Sequence, residues 1–369
     1  MKNLFFYGTL RHVPLLEIVM GRGAGMLDVT PAHLPDFLVS SVAEGPFPMI
    51  APSIGDRAEG LLVRGLSDDD IARLDFYEGS FAYDLVQVEL SDGQKAEVYV
   101  PQPGMWTPDG PWLLSAWEAK WAALSCHAAV EVMGYMGVKT RDEVAGMFPM
   151  IRRRAGSKVH AANSLHGERT MHGRVEVMDR KRSYAHFFAL DDILLRHERF
   201  DGKMTEPLDR AVFLGADAGI VLPYDPVRDR VLLVEQIRMG PLARGDASVW
   251  QLEPIAGHID PGETPEQAVV REAQEEAGLS VRSLEKVAEV YASPGNSTEF
   301  HYIFVGLADL PDVAQGTGGL DSEGEDIRSH FLSFEALMAL VTGYGAGNAP
   351  LVLAAYWLAH NRARLRLKA

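Results

Sequence analysis

The sequence predicts two domains in succession, a β-rich α+β domain followed by an α/β domain with helices beside a sheet. Three observations lead there. The chain has 369 residues, 47% hydrophobic and 23% charged, enough for two soluble cores of ordinary size. Residues 1–105 alternate short apolar runs with turn residues, whereas the second half carries a fully capped helix over 264–278 and a strand-like run at Val231–Val234. Between them Pro101, Pro103, Pro108 and Pro111 punctuate the chain and mark a boundary.

In chain order, Leu4–Tyr7, Ala58–Val63, Leu85–Leu90 and Ala96–Val100 are the clearest strands. Ser67-Asp68-Asp69-Asp70 starts a short helix whose acidic first turn suits the positive end of the helix dipole. From Trp112 to about Met136 apolar residues recur at helical spacing, and Arg141–Ile151 suggests another helix. These spacings divide the chain into a first domain over 1–105, a helical connector over 106–172 and a second domain over 173–369. Arg152-Arg153-Arg154 and Arg180-Lys181-Arg182 are basic clusters expected to pair with acidic neighbours. Leu351–Ala359 is too short to span a bilayer and reads as a packed terminal helix.

A net charge of −16 argues against a general nucleic-acid or anionic-membrane surface. It leaves room for an anionic nucleotide, because a bound Mg²⁺ reverses the local field. The single cysteine, Cys126, precludes an intrachain disulfide and is expected as a buried structural thiol in a reducing cytosol. Leu4-Phe5-Phe6-Tyr7 is too short for the core of a signal peptide. The expected location is cytoplasmic, with neither nucleic acid nor membrane as partner.

The helix over 264–278 carries the chemistry. Thr264 is its N-cap, Pro265 sits at the favoured first position, Gln267 completes a capping box, and Gly278 supplies a left-handed end. At roughly 100° per residue, Glu272, Glu275 and Glu276 share one third of the circumference, with Val269, Ala273 and Ala277 on a separate, core-facing side. Three carboxylates on one face repel one another unless a cation joins them. A hard divalent ion with oxygen ligands suits that arrangement, and Mg²⁺ commonly takes carboxylates together with substrate phosphates.

Gly257, Glu263 and Arg271-Glu272-Ala273-Gln274-Glu275-Glu276-Ala277-Gly278-Leu279 match the Nudix hydrolase box at every defined position, and roughly residues 173–369 resemble that family. Pro294, sixteen residues after Gly278, marks a resemblance to its ADP-ribose pyrophosphatase subgroup. The stretch Tyr224–Arg238 is similar to that subgroup's paired strands, and Asp321–Arg328 to its catalytic loop. The resemblance implies an α/β/α sandwich, a mixed sheet between helices, and Mg²⁺-dependent hydrolysis of ADP-ribose or a related nucleoside diphosphate sugar, with Mn²⁺ as a substitute ion. It implies that the Ala256 carbonyl, Glu272, Glu276 and Glu325 hold metal, that Glu275 is a further ligand in the catalytic set, and that Glu323 accepts the proton of the attacking water. Glu263 and Arg271 are expected to form an orienting ion pair. Arg238 and Glu299 would contact the diphosphate and terminal ribose, and Phe187 and Arg210 would sandwich adenine across a homodimer interface. A nucleotide-sensing module that binds without hydrolysis is the alternative from another class.

In the first domain Phe6-Tyr7-Gly8-Thr9-Leu10-Arg11 offers backbone amides at a glycine turn after a strand, and Leu74-Asp75-Phe76-Tyr77-Glu78-Gly79 follows a helix. Together they resemble the gamma-glutamylcyclotransferase-like (AIG2-like) family. That likeness implies that Tyr7, Gly8, Thr9 and Leu10 cradle a substrate carboxylate while Glu78 is general base for an amine attacking a γ-carbonyl. One departure stands out. The family often has Tyr-x-Arg after its glutamate, and here the residues are Tyr83-Asp84-Leu85. The two-domain arrangement resembles bacterial tellurite-resistance-associated ADP-ribose pyrophosphatases.

Overall fold

Residues 1–78, 83–162, 171–312, 317–319 and 324–367 are described in the computed structural model, and the chain divides into two units, Met1–His166 and Gly167–Ala369. The first unit runs β1 (Lys2–Phe6), α1 (Val13–Met20), β2 (Asp28–Val42), β3 (Gly45–Leu66), α2 (Asp68–Glu78), β4 (Tyr83–Glu89), β5 (Lys95–Pro101), β6 (Pro108–Pro111), α3 (Leu114–Met133) and α4 (Arg141–Ala162). Its sheet has the order β4-β5-β1-β3-β2-β6, with β1 and β5 parallel and the other pairs antiparallel. Strand alternation splits β1 between two cores. Leu4 and Phe6 meet Leu15, Leu16 and Leu74 on one face, and Phe5 and Tyr7 meet Leu34, Ile50 and Leu62 on the other. Gly60 is required here, since a Cβ on it would stand 2.4 Å from the Phe5 ring.

The strands expected from alternation are present, but β2 and the first half of β3 were not expected. Pro31, Pro35, Pro46, Pro48 and Pro52 erase the pattern by which a strand is read. The fold accommodates them with a bulge between Pro35 and Phe37, where Asp36 has φ 58° and its carboxylate accepts from the Gly55 amide at 2.8 Å.

The helices expected as a connector pack into the first unit instead. Trp117, Ala122 and Ala129 of α3 share a core with β1, and the Trp117 indole donates to the Pro46 carbonyl at 2.8 Å. Arg154 of α4 meets Glu131 of α3 at 2.6 Å, both buried, and α4 continues past Pro149 to Ala162. Cys126 is half-buried at the edge of this core, and burial raises its thiol pKa.

The second unit opens with an antiparallel sheet of β7 (Val175–Ala185), β8 (Ala189–His197) and β9 (Leu208–Leu214). Arg180 and Arg182 both donate to the buried Asp191. There follow β10 (Ala218–Asp225), β11 (Arg230–Ile237), α5 (Met239–Arg244), β12 (Trp250–Glu253), β13 (Ile255–His258) and α6 (Pro265–Ala277). The chain then forms β14 (Ser283–Tyr291), β15 (Phe300–Leu307), β16 (Thr317–Gly318), β17 (Ile327–Ser333), α7 (Phe334–Thr342) and α8 (Ala349–Arg366).

These strands form a mixed sheet ordered β14-β15-β10-β11-β17-β16, with β12 paired to β11 and β13 to β10. The central β10 is buried along its whole length, as a strand covered on both faces must be. Val221 faces Ala268, Val269 and Ala273 of α6, and Ile220 and Leu222 face Leu337 of α7 with Leu351, Ala354 and Leu358 of α8. This is the expected sandwich of helices about a mixed sheet. Among the described residues no helix is long and apolar enough to cross a membrane.

Candidate active site

The expected caps set the ends of α6. The Thr264 hydroxyl accepts from the Gln267 amide at 3.2 Å, the Gln267 side chain accepts from the Thr264 amide at 2.9 Å, and Gly278 closes the helix at φ 62°. With Val269 and Ala273 held in the core, Glu272, Glu275 and Glu276 are presented on the remaining arc.

Arg271 organises most of that arc. Its guanidinium donates to both carboxylate oxygens of Glu263 at 3.0 and 3.1 Å, to Glu272 at 2.6 Å, to Glu275 at 2.9 Å and to the His258 carbonyl at 3.0 Å. The expected Glu263–Arg271 pair is therefore present, and the same arginine is counter-charge to two more box carboxylates. Gly257 lies against this group, since a Cβ there would fall 1.9 Å from a Glu272 carboxylate oxygen.

Glu276 stands apart. From the sequence its side chain faces a solvated site, but the structure leaves it 2% exposed, with Oε2 lacking a hydrogen-bond partner among the described residues. Burial, then the charges of Glu272 and Glu325, push its pKa up to about 9. The Glu272 carboxyl is raised by burial too. An orphaned carboxylate oxygen beside two other carboxylates fits a hard divalent cation, which would satisfy that oxygen and cancel the repulsion. Among the described residues no three acidic, histidine or cysteine side chains are gathered as a metal-ligand group, and Arg271 holds Glu272 and Glu275. Gly318 makes room for the end of α6, for a Cβ on it would come 1.9 Å from the Glu276 carbonyl oxygen. Glu325 follows shortly after.

Arg238 lies close enough to act electrostatically on both Glu276 and Glu299. The Glu299 carboxyl is lowered chiefly by a 3.1 Å hydrogen bond with His301, then by the charges of His301, His258 and Arg238, and Arg238 also acts to lower Glu276. The sequence did not single out Glu253, which is buried on β12 and holds Arg238 at 2.6 Å while accepting from Asn348 at 3.2 Å. Nor did it single out His258, which directly follows Gly257 and could have been noticed from that adjacency. Phe187, at the β7–β8 turn, lies 6.1 Å from the His258 ring, so it reaches this site within one chain. Arg210 does not. It pairs with Ile193, four rungs from the Ala189–Leu214 pair beside Phe187, which is about 13 Å along a strand. Glu323 lies outside the described residues.

The first unit has its own site. Tyr7, Gly8, Thr9 and Leu10 line one cavity of about 190 Å³ together with Glu78 and Tyr83. Burial raises the Glu78 carboxyl to about 7, and burial together with the Glu78 charge pushes the Tyr83 hydroxyl to about 12. The residues of two separate motifs thus meet around one carboxyl poised near neutrality, which suits a general base.

Comparison with known proteins agrees with this division. A family model described as NUDIX domain matches residues 214–354, and one described as gamma-glutamyl cyclotransferase, AIG2-like, matches residues 4–118. The ADP-ribose pyrophosphatase of Escherichia coli strain K12 is 41% identical over 184 residues, covering 50% of this chain and 87% of that protein. That of Haemophilus influenzae is 34% identical, covering 52% of this chain and 89% of that protein. The GDP-mannose pyrophosphatase of Enterobacter sp. strain 638 is 29% identical, covering 50% of this chain and 94% of that protein. With box, fold and relatives in agreement, this chain belongs to the Nudix family through its second unit and carries an AIG2-like gamma-glutamyl cyclotransferase unit ahead of it.

Proposed function

We propose that the second unit hydrolyses ADP-ribose to AMP and ribose 5-phosphate with Mg²⁺. The observation that carries this reading is the buried Oε2 of Glu276, unpartnered among the described residues, beside Glu272 and Glu325 and within the field of Arg238, which also acts on Glu299. The Ala256 carbonyl, Glu272, Glu276 and Glu325 would hold the ion, with Glu275 joining them. Bound there, Mg²⁺ supplies charge neutralisation on the diphosphate and a lowered pKa for a coordinated water.

The chain's own residues do the rest. Arg271 keeps Glu272 and Glu275 oriented, and it must yield part of that hold for both carboxylates to turn towards a cation. Arg238, braced by the buried Glu253, presents positive charge to a diphosphate with little freedom to lose on binding. Glu299 is kept ionised by His301 and suits hydroxyl groups of a terminal ribose. Glu323 takes the proton from the attacking water, an assignment resting on its place in the resembling loop. Phe187 stacks on adenine, and Arg210 completes the sandwich from the second subunit of a homodimer, which agrees with its distance from Phe187 in one chain. The protein acts in the cytoplasm.

Another nucleoside diphosphate sugar is the second reading, favoured by the relatives named GDP-mannose pyrophosphatase. A hydrolysis panel with Mg²⁺ separates the two: kcat/KM for ADP-ribose should exceed that for GDP-mannose and other nucleotide sugars. A preference for GDP-mannose would replace the first reading. Binding of ADP-ribose without turnover would make the unit a sensor, against which stands the complete set of box carboxylates.

A further inference from the structure

The first unit lacks the arginine that its likeness leads one to expect after Glu78, because that position is Leu85. Its cavity is nevertheless not without a cation. Arg152 of α4 lines it together with the Tyr7–Leu10 turn and Glu78, and is the one lysine or arginine among the described lining residues. Ser125 of α3 and Phe148 and Arg152 of α4, which also line the cavity, lie beyond the segment 4–118 that matches the cyclotransferase family.

Arg152 is held in place. Its guanidinium sits over the Trp121 ring at 5.7 Å. Two residues on, Arg154 turns to another side of α4 and locks that helix to α3 through buried Glu131 at 2.6 Å. The charge of Arg152 is felt by Tyr77, which precedes Glu78 and also lines the cavity. Size limits the occupant. About 190 Å³ falls below the roughly 300–1,000 Å³ typical of sites for drug-sized ligands, so the cavity suits an amino-acid derivative better than a nucleotide sugar. Charge limits it further. With Glu78 and several phenols as the other titratable groups, an anionic ligand needs Arg152 to offset its desolvation.

We propose that Arg152 receives the carboxylate of a small γ-glutamyl-type ligand in this cavity, so that α4 sets the selectivity exercised in the family by the loop after the glutamate. This rests on reading the first unit as a cyclotransferase-like pocket. Glu78 then faces the amine end of the ligand while Arg152 and the amides of the Tyr7–Leu10 turn take the acid end. Arg152 is a binding residue in this scheme, not a proton carrier.

The test is calorimetric titration of the full chain with 5-oxo-L-proline, the cyclic acid such a pocket would release, and with its neutral carboxamide. Wild type should bind the acid at least about 10-fold more tightly than the amide, the worth of one charge-assisted hydrogen bond. Arg152→Gln should weaken the acid by about 10- to 100-fold and leave the amide nearly unchanged. Arg152→Lys, which keeps the charge and most of the stem, should retain part of the preference, and tryptophan fluorescence of Trp117 and Trp121 checks that each variant is folded. If Arg152→Gln is folded and binds the acid like wild type, Arg152 has no such role, although the pocket reading stands. If wild type binds neither probe, the pocket reading fails and the proposal falls with it.

Discussion

Each unit raises the pKa of a buried carboxyl group, and the two do so differently. Glu78 is shifted to about 7 by burial, among phenols and one arginine. Glu276 is shifted further, to about 9, because Glu272 and Glu325 add like-charge repulsion to burial. A single buried carboxyl near pH 7 can take and return a proton. A buried carboxyl among carboxylates has no comfortable ionised state until a cation arrives. The same side chain therefore suits proton transfer in one unit and metal binding in the other, and its neighbours make the difference.

The largest effect should come from breaking the second arrangement. Glu276→Gln, or chelation by EDTA, should abolish detectable ADP-ribose hydrolysis while leaving 5-oxo-L-proline binding unchanged. Because an amide removes an unpaired buried carboxyl, the metal-free Glu276→Gln protein should melt no lower than wild type. Full turnover in EDTA would end the metal assignment.

Glu323→Gln should cut turnover by about 10²–10⁴ with little change in the Mg²⁺ concentration needed for half activity. Glu325→Gln should instead raise that concentration. A Mg²⁺ titration of both variants checks the division, and the opposite pattern would exchange the two roles.

Glu131→Ala removes the buried carboxylate 2.6 Å from buried Arg154 and should destabilise the first unit by up to about 3–5 kcal/mol. ADP-ribose hydrolysis should survive, since no residue of the second unit's site depends on that pair. Parallel measurement of thermal unfolding and hydrolysis would show whether the two units are separable, and loss of both together would contradict it.

The smallest effect sharpens the contrast directly. A carboxyl whose pKa is raised on folding contributes stability below its unfolded value, near 4.5, that is lost as pH rises through about 7. Glu78→Gln should therefore melt at a higher temperature than wild type above pH 7 and lose that advantage at pH 4. Any Glu78-dependent cyclisation should rise with pH through about 7, with Tyr7, Tyr77, Tyr83, Tyr99 and Arg152 as the titratable or charged groups facing Glu78. A melting difference that does not depend on pH would place the Glu78 shift elsewhere.

Short-range features were legible in the sequence. Thr264, Pro265, Gln267 and Gly278 define α6 through hydrogen bonds spanning a few residues, so its ends, its core stripe and its carboxylate arc follow from spacing alone. The pairing of Glu263 with Arg271 came from the family pattern, and the turn at Tyr7–Leu10 from a glycine directly after a strand. Proline concealed β2, because the fold accommodates those residues with a bulge and a left-handed Asp36 that no alternation rule anticipates.

Tertiary structure alone decided which distant groups share a site and how wet that site is. Spacing placed Glu276 on the acidic arc, yet only the folded chain buries it to 2% exposure, with Gly318 packed against its backbone carbonyl. Glu253 braces Arg238 because β12 pairs with β11, a register that local pattern does not encode. Arg152 was one of three consecutive arginines in an apparent connector until α3 packed against the sheet and α4 against α3. Arg154 then found Glu131, and Arg152, pointing elsewhere on the same helix, was left lining the cavity. Local hydrogen bonding and periodicity are properties of neighbouring residues and can be read in order. Burial and field at a carboxyl are sums over groups that only the folded chain brings together.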